Sequence, residues 1–330
     1  MKIGAIINTY NRKDLLVRCI EYVFKQSYPV DCLCVVDNAS SDGTPVLLSE
    51  KGYIDAFVNE NSEDVLEFSK KVGSIDFIYI RMPYNTGVGG GYGYGMRRLF
   101  EMGFDWFWTL DDDGYPSPTC LENLIKHVDK GDYLDSVVVS IDDPDRLVFY
   151  VRKIKRVFGK FVAVDKKRYY YLSELREVSK GGVFFDASTP WNGTLLSRKL
   201  VEKIGFPRSE FFFYLEEFEY RARAFLNGFT ILTVVDAVVY HPLTRQEDVR
   251  KILGFLTIAD PQSLIRRYCL HRNESYVFLR YNPFSFINSL IKYTFFYLFY
   301  KPTYLGLYIE AVLDGILGRW GKEKKFIEAV

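Results

Sequence analysis

The chain has few histidines and almost no net charge. Three of its 330 residues are histidine, and 43 basic residues balance 42 acidic ones, which leaves a formal charge of +1. A protein with so little net charge has no overall field to attract a polyanion. We therefore expect no nucleic acid among its partners.

Cysteine and long apolar runs are also scarce. The five cysteines, an odd number at scattered spacings, argue against a disulfide framework and against a structural zinc site. No run reaches the roughly 18 uninterrupted apolar residues that a membrane-spanning helix requires. The apolar stretch at the start of the chain is too short for the core of a signal peptide. These features predict a protein of the reducing cytoplasm.

Apolar and aromatic residues, by contrast, make up 48% and 17% of the chain. Four short apolar runs, at residues 3–7, 32–36, 77–80 and 106–110, have the length of buried strands, and helical spacing follows three of them. Strands that alternate with helices predict an α/β fold with a mainly parallel sheet flanked by helices. We assign this domain to residues 1–250, with an insertion or hairpin at 147–187, and a helical appendage to residues 251–330.

Polar residues gather where these predicted strands end. Asn8, Asp37, Asn85 and the acidic run at residues 111–113 each follow an apolar run. The carboxyl ends of parallel strands are where such sheets bind ligands. Turn residues are common at strand ends and explain part of the pattern, but they explain three adjacent carboxylates less easily.

Asp111 and Asp113 alternate along an extended stretch, so their side chains should point the same way and could share one ligand. Without a counterion the two carboxylates would repel each other. Mn²⁺ or Mg²⁺ would remove that repulsion, because hard cations take oxygen ligands from protein and diphosphate together. We favour a metal site here over the alternative, a solvated acidic loop.

Three segments in order resemble a known family: N-T-Y-N-R at residues 8–12, V-D-N-A-S at 36–40 and D-D-D at 111–113. They are similar to the inverting glycosyltransferases of family 2, which have the GT-A fold, and the resemblance covers roughly residues 2–245. Further segments at 85–91, 191–193 and 216–220 are most similar to galactofuranosyltransferases, with rhamnosyltransferases as close neighbours.

The resemblance implies a nucleotide-sugar donor, and it assigns to that donor Thr9, Arg12, Asp37, Asn85 and Asp112. Asp37 can accept a hydrogen bond from the uracil ring or from a ribose hydroxyl. Arg12 can pair with a phosphate. A plain turn or cap role is the alternative for Asp37.

A glycine run spans residues 87–95, but no offset within it gives the dinucleotide-binding fingerprint. We expect the following helix near residues 96–102. Glycines ahead of a helix, such as Gly89 and Gly90, permit close approach of the backbone to a diphosphate or a sugar. A flexible loop that packs closely is an equal alternative.

The resemblance also places the catalytic base at Glu217, the second acidic position of its motif, where the family commonly has aspartate. Glu216 is assigned to the acceptor. Both residues stand at a predicted helix N-terminus, where capping and the helix dipole alone favour carboxylates. As a base, Glu217 would take the proton from an acceptor hydroxyl while that oxygen attacks the anomeric carbon from the face opposite the nucleotide.

Three further residues complete the site that the resemblance implies. His241, which follows a predicted strand, would join Asp111 and Asp113 at the metal. Trp191 could stack on an acceptor sugar and Asn192 could bond its hydroxyls, although a core tryptophan is nearly as good an explanation.

The region after residue 261 reads as helical and aromatic, with basic residues along it. Such a segment can lie on an anionic membrane surface, which would suit an acceptor carried on a lipid. Packing against the catalytic domain, or a dimer interface, is the competing interpretation.

These observations together predict a metal-dependent, inverting hexosyltransferase of cell-surface polysaccharide synthesis, with a UDP-sugar as donor and a glycan or lipid-linked glycan as acceptor. UDP-galactofuranose is the donor that the resemblance suggests. The alternatives are a rhamnosyltransferase that uses dTDP-rhamnose and a non-catalytic scaffold that binds carbohydrate or membrane. A nucleotidyltransferase would require a basic glycine loop where residues 8–11 stand. We expect the protein in the cytoplasm, with peripheral binding at the inner face of the membrane as a further hypothesis.

Overall fold

A computed structural model describes residues 1–55, 58–188, 191–243, 249–254 and 256–327. The strands are β1 (Ile3–Thr9), β2 (Cys32–Asp37), β3 (Leu66–Val72), β4 (Ile75–Arg81), β5 (Trp106–Asp111), β6 (Tyr115–Pro116), β7 (Tyr133–Ser140), β8 (Arg146–Val157), β9 (Phe161–Val164), β10 (Tyr169–Tyr171), β11 (Val183–Phe185), β12 (Ala187–Ser188), β13 (Thr194–Ser197), β14 (Ile231–His241), β15 (Val249–Ile252) and β16 (Leu256–Ala259). The helices are α1 (Lys13–Phe24), α2 (Thr44–Glu50), α3 (Gly87–Glu101), α4 (Cys120–Ile125), α5 (Leu172–Val178), α6 (Arg198–Ile204), α7 (Glu216–Leu226), α8 (Leu264–Tyr281), α9 (Pro283–Tyr300), α10 (Leu305–Leu317) and α11 (Lys324–Ile327).

The central strands are buried on both faces, which is why they read as continuous apolar runs. In β1, Ala5 and Ile7 pack into a core shared with α1 and α4, whereas Ile6 packs into a second core shared with α3, α6 and α7. The same alternation holds in β2. Helices therefore cover both faces of the sheet, and the predicted α/β fold is confirmed.

The sheet follows the order β10-β8-β7-β13-β5-β1-β2-β4-β3, and β14 lies beside β7. Pairing is parallel between β5, β1, β2 and β4 and between β7 and β14. The register places Asn8 opposite Asp111 and Thr9 opposite Asp37. The polar strand ends thus lie side by side along one edge, as the sequence predicts.

The glycine run lies within a helix, and this corrects the expected start of that helix near residue 96. α3 begins at Gly87, so the glycines form its first turns. Their small size is needed there, because a Cβ on Gly91 would lie 1.7 Å from Asn8 Oδ1. A Cβ on Gly89 would lie 2.5 Å from the carbonyl oxygen of Arg208.

The predicted insertion at residues 147–187 folds as the antiparallel strands β8 to β12 and the helix α5. The strand predicted at residues 231–235 continues as one strand, β14, to His241, with a register shift between Val234 and Val238. The predicted helix from residue 217 begins one residue earlier, at Glu216.

The C-terminal helices pack on the α/β portion of the chain and on each other. α8 contacts α7, α9 and α10, and Pro283 opens α9 as the sequence predicts. The β15–β16 hairpin spans the proposed boundary at residue 250, which stays a prediction. Among the described residues, no helix combines the length and the apolar character that crossing a membrane requires.

Candidate active site

A cleft of about 310 Å³ opens at the carboxyl edge of the parallel strands. That volume lies in the range typical of small-molecule sites. Its described lining comes from the strand ends and from three more distant segments: Asn8, Tyr10, Arg12, Asn38, Asn85, Gly87, Val88, Asp111, Asp112, Asp113, Phe149, Phe213, His241 and Arg266.

The three aspartates are held by different partners. The Tyr92 hydroxyl donates to Asp111 Oδ1 (2.7 Å). Asp112 accepts from Thr9 Oγ1 (2.7 Å) and from Arg12 (3.0 Å). The same guanidinium group donates to Asp113 Oδ2 (2.6 Å), so Arg12 bridges two of the carboxylates.

His241, at the end of β14, completes the acidic cluster. Its Nε2 lies 2.9 Å from Asp113 Oδ1, and its Nδ1 donates to the carbonyl oxygen of Pro242 (2.6 Å). Because a carbonyl can only accept, Nδ1 keeps its hydrogen and Nε2 is the nitrogen that faces the aspartates.

One atom each from Asp111, Asp113 and His241 lies within 4.8 Å of the others. Carboxylate oxygens with one imidazole nitrogen form a ligand set that suits Mn²⁺ or Mg²⁺. The carbonyl that orients His241 is the kind of outer partner that metal-binding histidines usually have. The three residues that the sequence predicts as metal ligands therefore fit a bound Mn²⁺ or Mg²⁺.

The electrostatics of the cluster favour a cation. Burial, together with the charge of Asp113, raises the pKa of Asp111 to about 7. Burial also raises the pKa of Asp112 to about 6, although Arg12 opposes the shift. For Asp113 the hydrogen bond and charge of His241 outweigh burial, and the pKa is lowered. Three crowded carboxylates with one arginine and one histidine leave negative charge that a divalent cation would neutralise.

Two buried polar atoms near Asp111 have no hydrogen-bond partner among the described residues. They are Glu216 Oε2 and Asn192 Nδ2. Asn192 Oδ1 accepts from the Asp111 backbone amide (3.4 Å), and the charge of Asp111 contributes to the raised pKa of Glu216. Neither residue is part of the described cleft lining, and the acceptor-binding role that the sequence predicts for them stays a prediction.

Glu217 is half-buried beside Glu216 at the start of α7. Burial raises the pKa of its carboxyl, and the charge of Arg221, one turn later, opposes that shift. Glu217 is not part of the described cleft lining.

Asp37 lies beneath the cleft and is fully buried. It accepts from the Tyr79 hydroxyl (2.5 Å), Arg81 (3.0 Å) and the Ser40 amide (2.8 Å). The Ser40 bond is a turn of the kind the sequence offers as the alternative for Asp37, and its contact with a nucleotide stays a prediction.

Trp191 is buried as well: its Nε1 donates to the Tyr133 hydroxyl (2.5 Å), and its ring packs edge-on against Tyr92 and Tyr220. These are the contacts of a core tryptophan. Gly89 and Gly90 pack against Arg208 and Thr86, outside the described lining. Close packing, the second interpretation of the glycine run, accounts for both.

Sequence reasoning missed several residues of the cleft. Phe149, Phe213 and Arg266 come from the inserted strands, a loop and α8. Nothing local in the sequence marks them, because each is brought to the cleft by long-range packing. Asn38, by contrast, belongs to a polar strand end that the sequence marks, and it donates to Asn8 Oδ1 (2.6 Å).

The fold and the site together define a glycosyltransferase with the GT-A fold. The structure aligns with TarS 1-349 of S. aureus in complex with UDP-GlcNAc at a TM-score of 0.55 and 15% identity, covering 96% of this chain and 81% of that one. It also aligns with GalNAc-T7 bound to UDP, GalNAc and Mn²⁺ at a TM-score of 0.52 and 12% identity, covering 77% and 44% of the two chains.

The chain belongs to glycosyl transferase family 2, whose family model matches residues 5–204. Among characterised proteins it is similar to galactofuranosyltransferase GlfT1 of Mycolicibacterium smegmatis, at 25% identity over 279 residues, which covers 83% of this chain and 82% of the relative. GlfT1 of Mycobacterium tuberculosis is 26% identical over 276 residues, with 83% and 81% covered.

Proposed function

We propose that this protein is an inverting, metal-dependent hexosyltransferase that transfers galactofuranose from UDP-galactofuranose to a glycan or lipid-linked glycan in cell-surface polysaccharide synthesis. The observation that carries the reaction type is the cluster of Asp111, Asp113 and His241 in the cleft at the carboxyl edge of the sheet. The similarity to two galactofuranosyltransferases supports the choice of sugar.

Asp111, Asp113 and His241 would hold Mn²⁺ or Mg²⁺. When bound, the cation would supply positive charge against the negative charge that builds on the departing diphosphate. GalNAc-T7, which shares the fold, was captured with Mn²⁺ and UDP.

Arg12 is one of two arginines in the described lining of the cleft. It is half-exposed and already spans Asp112 and Asp113, so it can turn part of its guanidinium toward a diphosphate without leaving the cluster. The hydroxyls of Thr9 and Tyr92 hold Asp112 and Asp111 in place. Contact of Thr9 with the donor, which the sequence predicts, stays a prediction.

Glu217 is the proposed base. Its raised pKa makes the ionised carboxylate a stronger proton acceptor for an acceptor hydroxyl, which then attacks the anomeric carbon with inversion. Glu216 and Asn192 offer an acceptor and a donor for sugar hydroxyls, which matches the acceptor-binding role that the sequence predicts for them.

The rhamnosyltransferase alternative would use a donor with a different base and a different sugar. The scaffold alternative would bind carbohydrate or membrane without turnover. The unpartnered polar atoms favour a site that still binds ligand, because such atoms are costly when nothing satisfies them.

We also propose that α9 and α10 contact the membrane surface that carries the acceptor. Their exposed faces are rich in large apolar residues, among them Phe284, Ile291, Phe299 and Leu317. Exposed apolar faces of this kind usually mark an interaction surface.

The proposal is tested by UDP and dTDP release from a panel of nucleotide sugars, with Mn²⁺ or with EDTA. UDP-galactofuranose should be the best donor and EDTA should abolish release. Glu217→Gln should lower turnover by about 10³-fold while donor binding, measured by calorimetry, stays within about threefold. Equal rates with Glu217→Gln would refute the base, and preference for dTDP-rhamnose would refute the donor.

A further inference from the structure

The loop that leads into α7 has an unusual backbone. Phe212, Tyr214 and Leu215 have φ angles of 46°, 68° and 68°, in the left-handed region that residues other than glycine rarely adopt. Such conformations persist only where the surroundings hold them. This loop, residues 208–215, ends directly before Glu216 and Glu217.

One side chain from the C-terminal region holds the loop. The amide nitrogen of Asn273, which is fully buried on α8, lies within hydrogen-bond distance of the carbonyl oxygens of Phe211 (2.8 Å), Phe213 (2.6 Å) and Tyr214 (2.9 Å). Its two hydrogens serve these three acceptors, so one hydrogen is shared between two carbonyls. These carbonyls converge on Asn273 because the left-handed residues turn the backbone around it.

Arg272 fixes the direction of that amide. Its Nε donates to Asn273 Oδ1 (3.0 Å), so the amide nitrogen must face the loop. Another nitrogen of Arg272 donates to the Glu210 carbonyl (2.9 Å), and the guanidinium also pairs with Glu323 and lies over the ring of Trp320. The pair thus contacts the loop at four of its carbonyl groups.

The opposite side of the loop faces the cleft. The Val88 amide donates to the Phe212 carbonyl (2.8 Å), and a Cβ on Gly87 would lie 2.2 Å from that same oxygen. Phe213 lines the cleft. The loop is therefore packed between the first turn of α3 and the middle of α8, and movement of either surface would shift the start of α7.

We infer that Asn273 is a positioning residue for the transfer reaction: through the loop at 208–215 it sets the position of Glu216 and Glu217. The inference rests on the proposed role of Glu217 as the base. α8 has other anchors, such as the bonds from Tyr268 to Asp314 and from Arg267 to Asp260. Because those anchors do not involve the loop, the three Asn273 bonds serve the loop rather than the docking of α8.

Asn273→Asp tests the inference, because it keeps the shape of the side chain and replaces the donor with a carboxylate that repels the three carbonyls. We expect kcat for UDP release from the best donor of the panel to fall by at least about tenfold, with KM for the donor changed by less than about threefold. Hydrogen exchange, followed by mass spectrometry, should speed up at residues 208–217 and stay unchanged in β1.

Asn282→Ala is the matched control. Asn282 is also buried and ends α8, but its side chain accepts from the Ser285 amide instead of holding the loop. It should lower the melting temperature and leave both kcat and exchange at 208–217 unchanged.

Two results would overturn the inference: faster exchange of the loop with wild-type kcat, or a lower kcat with wild-type exchange. If Asn273→Asp does not fold, Asn273→Ser, which keeps one donor, is judged by the same two measurements. Full turnover in Glu217→Gln would refute the base alone, since the exchange data on Asn273→Asp do not depend on which carboxylate takes the proton.

Discussion

Two clusters of charged side chains in the described part of the chain have opposite compositions. At the cleft, three aspartates share one arginine and one histidine. In the C-terminal region, the single buried carboxylate of Asp260 meets three cations: Arg250 (2.7 Å), Arg267 (3.0 Å) and Lys301 (2.8 Å). Both clusters lie at least partly out of water, so their electrostatic interactions are strong.

The two clusters differ in role: the cleft cluster is suited to bind a ligand, whereas the C-terminal cluster holds elements of the fold together. The C-terminal cluster connects β15, α8 and the end of α9 through ion pairs. At the cleft, by contrast, burial and the charge of Asp113 raise the pKa of Asp111 to about 7, because the carboxylates outnumber the cations that pair with them. Crowded carboxylates with raised pKa values at the carboxyl ends of parallel strands are typical of a site that binds a cation.

The largest expected effect follows from removing a carboxylate at the cleft. Asp113→Ala should lower UDP release by about 10³-fold, because a proposed metal ligand is lost. Because Asp113 also pairs with Arg12 and His241, a melting curve compared with that of the wild type checks that the variant is folded under the assay conditions. Asp165→Ala, at an exposed pair with Lys155, is the control. Turnover that withstands both Asp113→Ala and EDTA would contradict the metal site.

The second effect falls on stability. Asp260→Asn leaves Arg267, which is 1% exposed, without its counter-charge, and should lower the free energy of unfolding in urea by about 3–5 kcal/mol. Asp236→Asn breaks an exposed pair with Arg176 and should cost less than about 1 kcal/mol. Equal losses in the free energy of unfolding for Asp260→Asn and Asp236→Asn would show that the buried C-terminal cluster contributes no more to stability than an exposed ion pair.

The smallest effect concerns the two buried histidines. His241 faces Asp113, whereas His271 is surrounded by Tyr293, Tyr297 and Tyr308, and burial lowers the pKa of His271 to about 3. His271 stays neutral in the folded chain but takes up a proton on unfolding below its ordinary pKa of about 6.5. The free energy of unfolding should therefore fall as the pH drops from about 6.5 toward 3.

Between pH 6.5 and 5 this contribution is about 2 kcal/mol. His271→Gln should reduce the pH dependence measured by urea unfolding, whereas His127→Gln, at a half-buried position, should change it less. An unchanged slope in His271→Gln would show that other groups control acid stability.

The strand ends could be predicted because the parallel register is simple: Asn8 and Asp111, or Thr9 and Asp37, become neighbours once the apolar runs are recognised as strands. The cluster of Asp111, Asp113 and His241 could be predicted for a similar reason, because these residues follow predicted strands that end at the same edge of the sheet. The burial of Asp37 could not be predicted, since it depends on Tyr79 and Arg81 reaching across from β4.

Other features lie further from any local pattern. Glycine usually weakens helices, so a helix that begins within the glycine run contradicts propensity; contact with Asn8 and with the loop at 208–215 overrides it. The partners of Asn273 lie 59 to 62 residues earlier in the chain, and no spacing rule connects them.

The family model ends at residue 204, yet Glu217, His241, Arg266 and Asn273 all lie beyond it. For anyone recombining relatives of this enzyme, a breakpoint at residue 250 would separate Asn273 from the carbonyls it holds. An exchanged segment should instead run from residue 208 through the end of α8, so that Asn273 and the loop whose carbonyls it contacts come from the same protein.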